Sequence, residues 1–421
     1  MSHNNHKKLI YHDFSVSENK IVFHFSLDDE IHFKPEWTFT VPLRGNIDLL
    51  AFNLGMAELV SYWKCACPKT VEVRCGALDA LQINWWKKLY RNGLGEFFYM
   101  NKIIPDDDFM QINATGREFP PLSINNLSGC LIPVGGGKDS IVTMELLKES
   151  FSENLCYIIN PRRPVLETAY TAGFTDDRIL KAYRTIDREL LRLNSLGYLN
   201  GHTPFSAVVA FSGVLFAYLA GKKYLVLSNE SSANEANTAA GINHQYSKSA
   251  EFEADFREYS RRYFGEAPEY FSLLRPWSEW QIVKKFIEYP QYLKIFQSCN
   301  AGSKTDSWCA KCAKCLYVYI MLSAFLSDED IIPVFGGNLL EKPELEHLFN
   351  ALVYEEHDKP FECVGTRAEI NLALSKAVKR RKDNLPPLLR KYAQNPGNPA
   401  PLDDYFDENN FVPEEFMRLL R

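Results

Sequence analysis

The spacing of apolar and polar residues changes along the chain. Residues 20–26 and 31–41 are rich in strand-forming side chains, and the acidic pair Asp28-Asp29 marks a turn between them. Residues 47–63 and 77–90 then read as helices. From 126 to 330 the pattern alternates: short buried strands at 130–134, 155–160 and 224–228 are interleaved with helices at 138–148, 176–193 and 205–220. The helix at 176–193 rests on Ile179, Ala182, Tyr183, Ile186 and Leu190, which recur at a helical period. Strands alternating with helices predict an α/β fold around a parallel sheet. In such sheets ligands gather at the carboxyl ends of the strands. The last stretch, 331–421, is broken by Pro386-Pro387 and by prolines between 396 and 401. Three parts follow: an N-terminal α+β domain (1–125), a core (126–330) and a C-terminal region (331–421). The first has no catalytic signature and is expected to pack or to cap a substrate.

Composition narrows the class. The chain has 421 residues, 46% of them hydrophobic, and only 22 Gly and 22 Pro, which excludes bulk disorder and collagen-like repeats. With 47 basic against 53 acidic residues the net charge is -6, which argues against a nucleic-acid partner. The apolar run 205–220 falls short of the ~20 residues a membrane span needs, so it predicts a buried helix and no membrane partner. The polar residues 1–11 do not resemble a secretory signal, and the expected location is cytoplasmic. The ten cysteines then point to metal binding or catalysis rather than cross-links.

The strongest local signal is residues 135–140, Gly-Gly-Gly-Lys-Asp-Ser, between a predicted strand and a predicted helix. Glycines let backbone N–H groups approach phosphate oxygens, and a helix N-terminus adds its positive end. In this reading Gly135, Gly136, Gly137, Lys138, Asp139 and Ser140 bind phosphates: Lys138 neutralises charge, Asp139 helps hold Mg²⁺, and the Ser140 hydroxyl meets an oxygen. The spacing is not that of a Walker A loop. It resembles the S-G-G-x-D-S loop of the N-type ATP pyrophosphatases, with Gly135 in place of the first Ser. That resemblance implies a parallel-sheet core like that of the adenine nucleotide α-hydrolases and cleavage of ATP between its α and β phosphates.

Cys299, Cys309, Cys312 and Cys315 lie close enough in sequence for a tetrahedral, structural Zn²⁺ site, with iron–sulfur ligation as the competing reading. A similar four-cysteine zinc site accompanies the same type of phosphate loop in 7-cyano-7-deazaguanine synthases. Beyond the third strand, the polar run Ser228, Asn229, Glu230 sits where a nucleotide would lie, and Glu230 is a second candidate for Mg²⁺. His244 and Lys248 follow as candidates to meet phosphate or a substrate carboxylate, and His202 could face the same cleft. In the last region Cys363 stands beside Glu362 and a Gly-Thr-Arg turn. A thiol of lowered pKa can exchange a proton with carbon, and Arg367 can lower it or bind a carboxylate. The basic stretch 376–391 is either a solvated face or an anion patch.

Taken in order, residues 133–140, 228–235, 244–249 and 362–367 and the four cysteines resemble the family of ATP-dependent UDP-N-acetyl-α-D-muramoyl-L-alanyl-L-glutamate epimerases of peptidoglycan synthesis. The resemblance implies a small-molecule, UDP-linked dipeptide substrate whose terminal L-Glu becomes D-Glu. It also implies adenylation of a carboxylate with release of AMP and pyrophosphate, and ATP, Mg²⁺ and structural Zn²⁺ as cofactors. Within that scheme Cys363 is the first acid/base candidate and His244 the second, Lys138 assists at the phosphates, and Lys248 and Arg367 bind substrate. The competing readings are a ligase that adenylates another carboxylate for attack by ammonia, and a non-catalytic nucleotide-binding protein.

Overall fold

The computed structural model describes residues 6–123, 127–148, 153–382 and 384–421. The expected boundary at 125/126 lies outside the described residues. The strands are β1 (Lys8–Val16), β2 (Lys20–Leu27), β3 (Ile31–Phe33), β4 (Glu36–Phe39), β5 (Thr70–Val73), β6 (Gln111–Ala114), β7 (Cys130–Pro133), β8 (Leu155–Ile159), β9 (Ile179–Thr185), β10 (Tyr224–Leu227) and β11 (Glu269–Ser272). All eleven belong to one sheet of order β11-β10-β7-β8-β9-β4-β2-β1-β5-β6, with β3 on β2. The fold is mixed α/β and the sheet mostly parallel.

The half from β11 to β9 is wholly parallel. Its strands alternate by face. Leu131, Tyr157 and Leu225 point into one core, beneath the helices Asp48–Trp63 and Phe205–Leu219. Cys130, Ile132, Cys156, Ile158, Tyr224 and Val226 point into a second core, against the helices Lys138–Lys148, Ala313–Ser323 and Arg367–Arg381. A strand buried on both faces must be apolar throughout, which is why these segments read as short unbroken hydrophobic runs.

The segment 176–193 corrects the sequence reading. It is not a helix but a short 3-10 turn (Asp176–Arg178), the strand β9 and a separate helix (Arg188–Ser195). Asp187 caps that helix by accepting from the Glu189 N–H at 2.7 Å. β9 fills the gap between β8 and β4, and pairing on both sides overrides its helical spacing. The C-terminal region is also more regular than its prolines suggest, with helices at Glu346–Val353, Arg367–Arg381 and Pro387–Gln394. The basic stretch there binds within the chain: Arg381 pairs with Asp328, Lys391 with Glu346, and Arg380 reaches the Ser323 carbonyl at 3.3 Å. No helix among the described residues is long and apolar enough to cross a membrane.

β4 and β9 join the two halves of the sheet antiparallel, with Trp37 opposite Arg184. Beneath this junction Arg184 grips buried Glu58 through two hydrogen bonds of 2.5 and 2.8 Å, and the Trp37 indole N–H donates to the same carboxylate at 2.8 Å. Removing one partner strands the other's charge away from water. Glu58→Ala is therefore expected to cost about 3–5 kcal/mol, read as a lower urea midpoint with an unchanged slope.

Candidate active site at the carboxyl ends of the parallel strands

The chain runs β7, β8, β9 in one direction across the sheet, then crosses back to β10 and β11 on the other side of β7. The turns after β7 and β10 therefore diverge, and the cleft between them is the usual ligand position in such sheets. Residues 134–137 follow β7 and lead into the helix Lys138–Lys148. Ser228, Asn229 and Glu230 follow β10. The turn after β11 ends in Ser278, which caps the helix Glu279–Phe286.

Gly136 has φ +80°, and a Cβ there would meet Val165 at 3.1 Å; at Gly135 a Cβ would meet nothing within 4 Å. The N–H groups of Gly135, Gly136 and Gly137 donate to no backbone carbonyl among the described residues. This amide-rich turn at a helix N-terminus, open at Gly135, is suited to an anion. Ser140 donates its hydroxyl hydrogen to the Gly137 carbonyl at 2.9 Å, which braces the turn.

Lys138 is buried and forms ion pairs with Asp139, at 2.5 Å, and with Glu279. Burial alone would lower its pKa, but Asp139, Glu279 and Glu230 outweigh that and hold it above the ordinary lysine value. Burial likewise works against ionised Asp139, yet Lys138, Lys314 and Lys248 keep it below the usual carboxylate range. Glu279 is pushed up by burial, against the pull of Lys138. Asp139, Glu230 and Glu279 bring carboxylate oxygens within 4.8 Å of one another, a donor set that suits a hard divalent cation such as Mg²⁺. Buried Arg275 sets Glu230 and Lys248 together by donating to both of their backbone carbonyls while held by Glu253. The buried hydroxyls of Ser228, Ser232 and Tyr317 have no hydrogen-bond partner among the described residues, so the cleft holds polar groups that a ligand could satisfy.

The four predicted metal cysteines also come together. Three of their Sγ–Sγ distances are 3.5, 3.7 and 3.8 Å. A tetrahedral ion with Zn–S bonds of about 2.3 Å requires edges of about 3.8 Å, so the set fits Zn²⁺. The loop they hold lies against the glycine turn: the Gln297 N–H donates to the Gly136 carbonyl at 2.8 Å, and Ser298 lies where a Cβ on Gly137 would come within 3.3 Å.

Cys363 reaches the same cleft from the C-terminal region. It is the central residue of a γ-turn, closed by the Val364 N–H to the Glu362 carbonyl at 2.8 Å. Lys314 donates to its carbonyl, and the Lys248 ammonium lies 3.3 Å from its sulfur. Burial would raise the thiol, but Lys248, a hydrogen bond with His244 and Lys314 bring it down to about 5. Gly365 permits the turn, since a Cβ there would come within 2.6 Å of Glu369 and 2.8 Å of the Tyr317 hydroxyl. Arg367 sits differently from the other candidates. Its guanidinium donates to the backbone carbonyls of His357 and Ala351, and so anchors the segment before Cys363.

Several residues of this cluster were not singled out in the sequence. Glu279 opens a helix behind a Ser-x-x-Gln cap, a signal for a helix start and not for a ligand. Lys314 lies among the cysteines, and Glu96 sits in an apolar stretch with no motif around it. Glu96 accepts from His244 at 2.5 Å and lies 3.4 Å from His202.

Comparison with known proteins adds a separate line. A family model described as the MurL N-terminal domain matches residues 2–273, and one described as the MurL C-terminal domain matches residues 295–403. The chain is 34% identical over 382 residues to the UDP-N-acetyl-α-D-muramoyl-L-alanyl-L-glutamate epimerase of Salinispora tropica, across 86% of this chain and 83% of that protein. Proteins of the same name from Xanthomonas oryzae and Micromonospora are 30% and 31% identical across 86% of this chain and 80% and 85% of theirs. The glycine turn, His202 and His244 fall in the first matched segment, and the four cysteines and Cys363 in the second.

The two loop glycines differ in what they tolerate. Gly136→Ala forces a side chain into the left-handed region and is expected to cost about 1–2 kcal/mol. Gly135→Ala meets open space and should change stability by less than about 0.5 kcal/mol. Paired urea titrations check both.

Proposed function

The chain belongs to the MurL family, and from that premise we propose that it inverts the glutamyl α-carbon of UDP-N-acetylmuramoyl-L-Ala-L-Glu after adenylating a glutamyl carboxylate with ATP. The observation that carries this reading is the meeting of an amide-rich glycine turn and the Cys363 thiol in one cleft, joined by Lys248, whose ammonium lies 3.3 Å from the Cys363 sulfur and also faces Glu230 and Asp139.

The need for adenylation follows from acidity. An α-proton beside a free carboxylate is hard to remove, because the product carries two negative charges on one group. Esterification to AMP removes that charge. In the N-type pyrophosphatase arrangement proposed here, the amides of residues 135–137 and Lys138 hold the β and γ phosphates of ATP. Asp139, Glu230 and Glu279 would hold Mg²⁺, which supplies charge neutralisation at the phosphates when bound. Lys138 and Lys248 face the oxygens where charge develops, in a cleft largely closed to water.

The Cys363 thiolate then takes the α-proton. An S–H bond forms as the C–H bond breaks, and the electron pair moves onto the activated carbonyl oxygen. Water delivers a proton to the opposite face as the electron pair returns from oxygen to carbon, which gives the D centre; Cys363 releases its proton to solvent, and hydrolysis of the acyl adenylate releases AMP. ATP cleavage draws a near-balanced epimerisation forward. Cys299, Cys309, Cys312 and Cys315 would hold Zn²⁺ in a structural role, because four protein thiolates leave no place for water or substrate on it.

Two measurements test the proposal. Incubation with ATP, Mg²⁺ and the UDP-linked dipeptide should give D-Glu on chiral analysis, with AMP and pyrophosphate, and without ammonia. Dependence on ammonia, or no loss of ATP, would exclude it. Metal analysis should give about one zinc per chain, lost in Cys312→Ser. Since the metal loop clasps the Gly136 carbonyl, zinc loss should also weaken ATP binding at least tenfold by calorimetry.

A further inference from the structure

The N-terminal part of the chain, expected only to pack or cap, reaches the cleft through one short helix. That helix, Gly95–Met100, presents Glu96 toward the loop that carries His244. The Glu96 carboxylate accepts a hydrogen bond of 2.5 Å from His244 Nδ1, and the Cys363 sulfur, 3.3 Å from the Lys248 ammonium, is close enough to the His244 ring to raise it. Sulfur, imidazole and carboxylate thus meet in one cluster contributed by three distant segments. His202 lies beside His244, its ring centroid 4.4 Å away, and its Nδ1 approaches the same Glu96 oxygen at 3.4 Å.

His202 is itself fixed from the N-terminal core. Lys64, at the end of the helix Asp48–Trp63, donates to the Gly201 carbonyl and, at 2.7 Å, to the Thr203 hydroxyl. The side chains of Glu96, His202 and His244 retain only 18%, 20% and 11% of their full exposure. A carboxylate so placed affects the imidazole strongly, because little water screens the pair.

We propose that Glu96 is the orienting carboxylate of a Cys363–His244–Glu96 triad, with His202 as a neutral fourth member that steadies Glu96, and that this triad keeps Cys363 as a thiolate paired with a His244 imidazolium. This rests on the proposed epimerase reading for its use, but not for its existence. Nucleophile, base and a third group that orients the base is a general arrangement for an activated thiol. Glu96 acts through His244 and is a positioning residue.

The electrostatics run in the same direction. Burial would lower His244, but the bonds to Cys363 and Glu96 lift it to about 9. Burial, with His244, Lys64 and Lys248 nearby, pushes His202 down to about 3, so it stands 3.4 Å from Glu96 without adding charge. Charged groups facing Cys363 are Lys248, His244, Lys314 and Glu362. The thiol is depressed and the imidazole raised, so the ion pair forms as pH rises through about 5 and is lost as pH rises through about 9. Over that window one mobile proton sits on His244, ready to protonate the sulfur or to pass toward Glu96.

The test reads the thiol without ATP or substrate. Full-length protein is treated with iodoacetamide across pH, and each cysteine is followed by peptide mass spectrometry. Cys363 should be alkylated with a midpoint near 5. Buried Cys65 and half-buried Cys67 and Cys75, each pushed up to about 12 by loss of water around the thiol, serve as internal references. Glu96→Gln should move the Cys363 midpoint up by about one pH unit or more, and Glu96→Asp should restore part of it. An unmoved midpoint in folded Glu96→Gln overturns the triad, as does a wild-type Cys363 that reacts only above pH 8. A second metal ion per chain that disappears in His202→Asn would also overturn it, because an ion on His244 Nδ1 displaces the proton. A second arm measures α-proton exchange of the adenylated dipeptide in D₂O. A normal thiol profile with no exchange leaves the triad intact and refutes the epimerase reading.

Discussion

Burying charge is the constraint that shapes this molecule. Asp139, Glu230 and Glu279 meet below the strand ends, away from bulk water, and would repel one another if left alone. Lys138, Lys248 and Lys314 face them from three different elements. Each lysine is itself costly to bury, so neither set is tolerable without the other. The result is a cleft of nearly balanced charge whose members are fixed in place. An incoming polyphosphate meets preset cations, and an incoming divalent ion meets preset oxygens, so little reorganisation accompanies binding.

The same logic explains why the site is assembled from the whole chain. Parallel strands deliver their carboxyl ends to one edge, which accounts for the glycine turn, Ser228 to Glu230 and Glu279. It does not account for Cys363 or Glu96. Cys363 comes from a γ-turn that Lys314 and Arg367 tie down, in the region after the metal loop. Glu96 comes from the opposite end of the chain, before the sheet has begun its parallel half. The chemistry proposed for the cleft therefore depends on contacts between sequence segments more than two hundred residues apart.

Much of this was visible in the sequence where local chemistry decides the outcome. Unbroken apolar runs marked β7, β8 and β10, and the glycine turn and four cysteines announced themselves by spacing. The strand β9 was misread because Ile179, Ala182, Tyr183 and Ile186 satisfy a helical period, and only pairing with β4 and β8 decides otherwise. β5, β6 and β11 are four residues each and carry too few positions for any period to show. Glu96, Lys314 and Glu279 look like ordinary charged residues in one dimension. Their meaning comes from partners in space, and no local pattern encodes those.

The antiparallel seam between β4 and β9 has a consequence for how the protein can be divided. If the first hundred residues were removed, β9 would become a free border of the sheet, with its ladder of N–H and C=O groups unpaired. Arg184 would lose Glu58, and the helix Phe205–Leu219 would lose the helix Asp48–Trp63 that packs against it. Such a fragment offers an open template for other strands to add to, so it would tend to aggregate rather than fold. Both strands of the seam lie within residues 2–273, so the first matched segment of the family holds together across it.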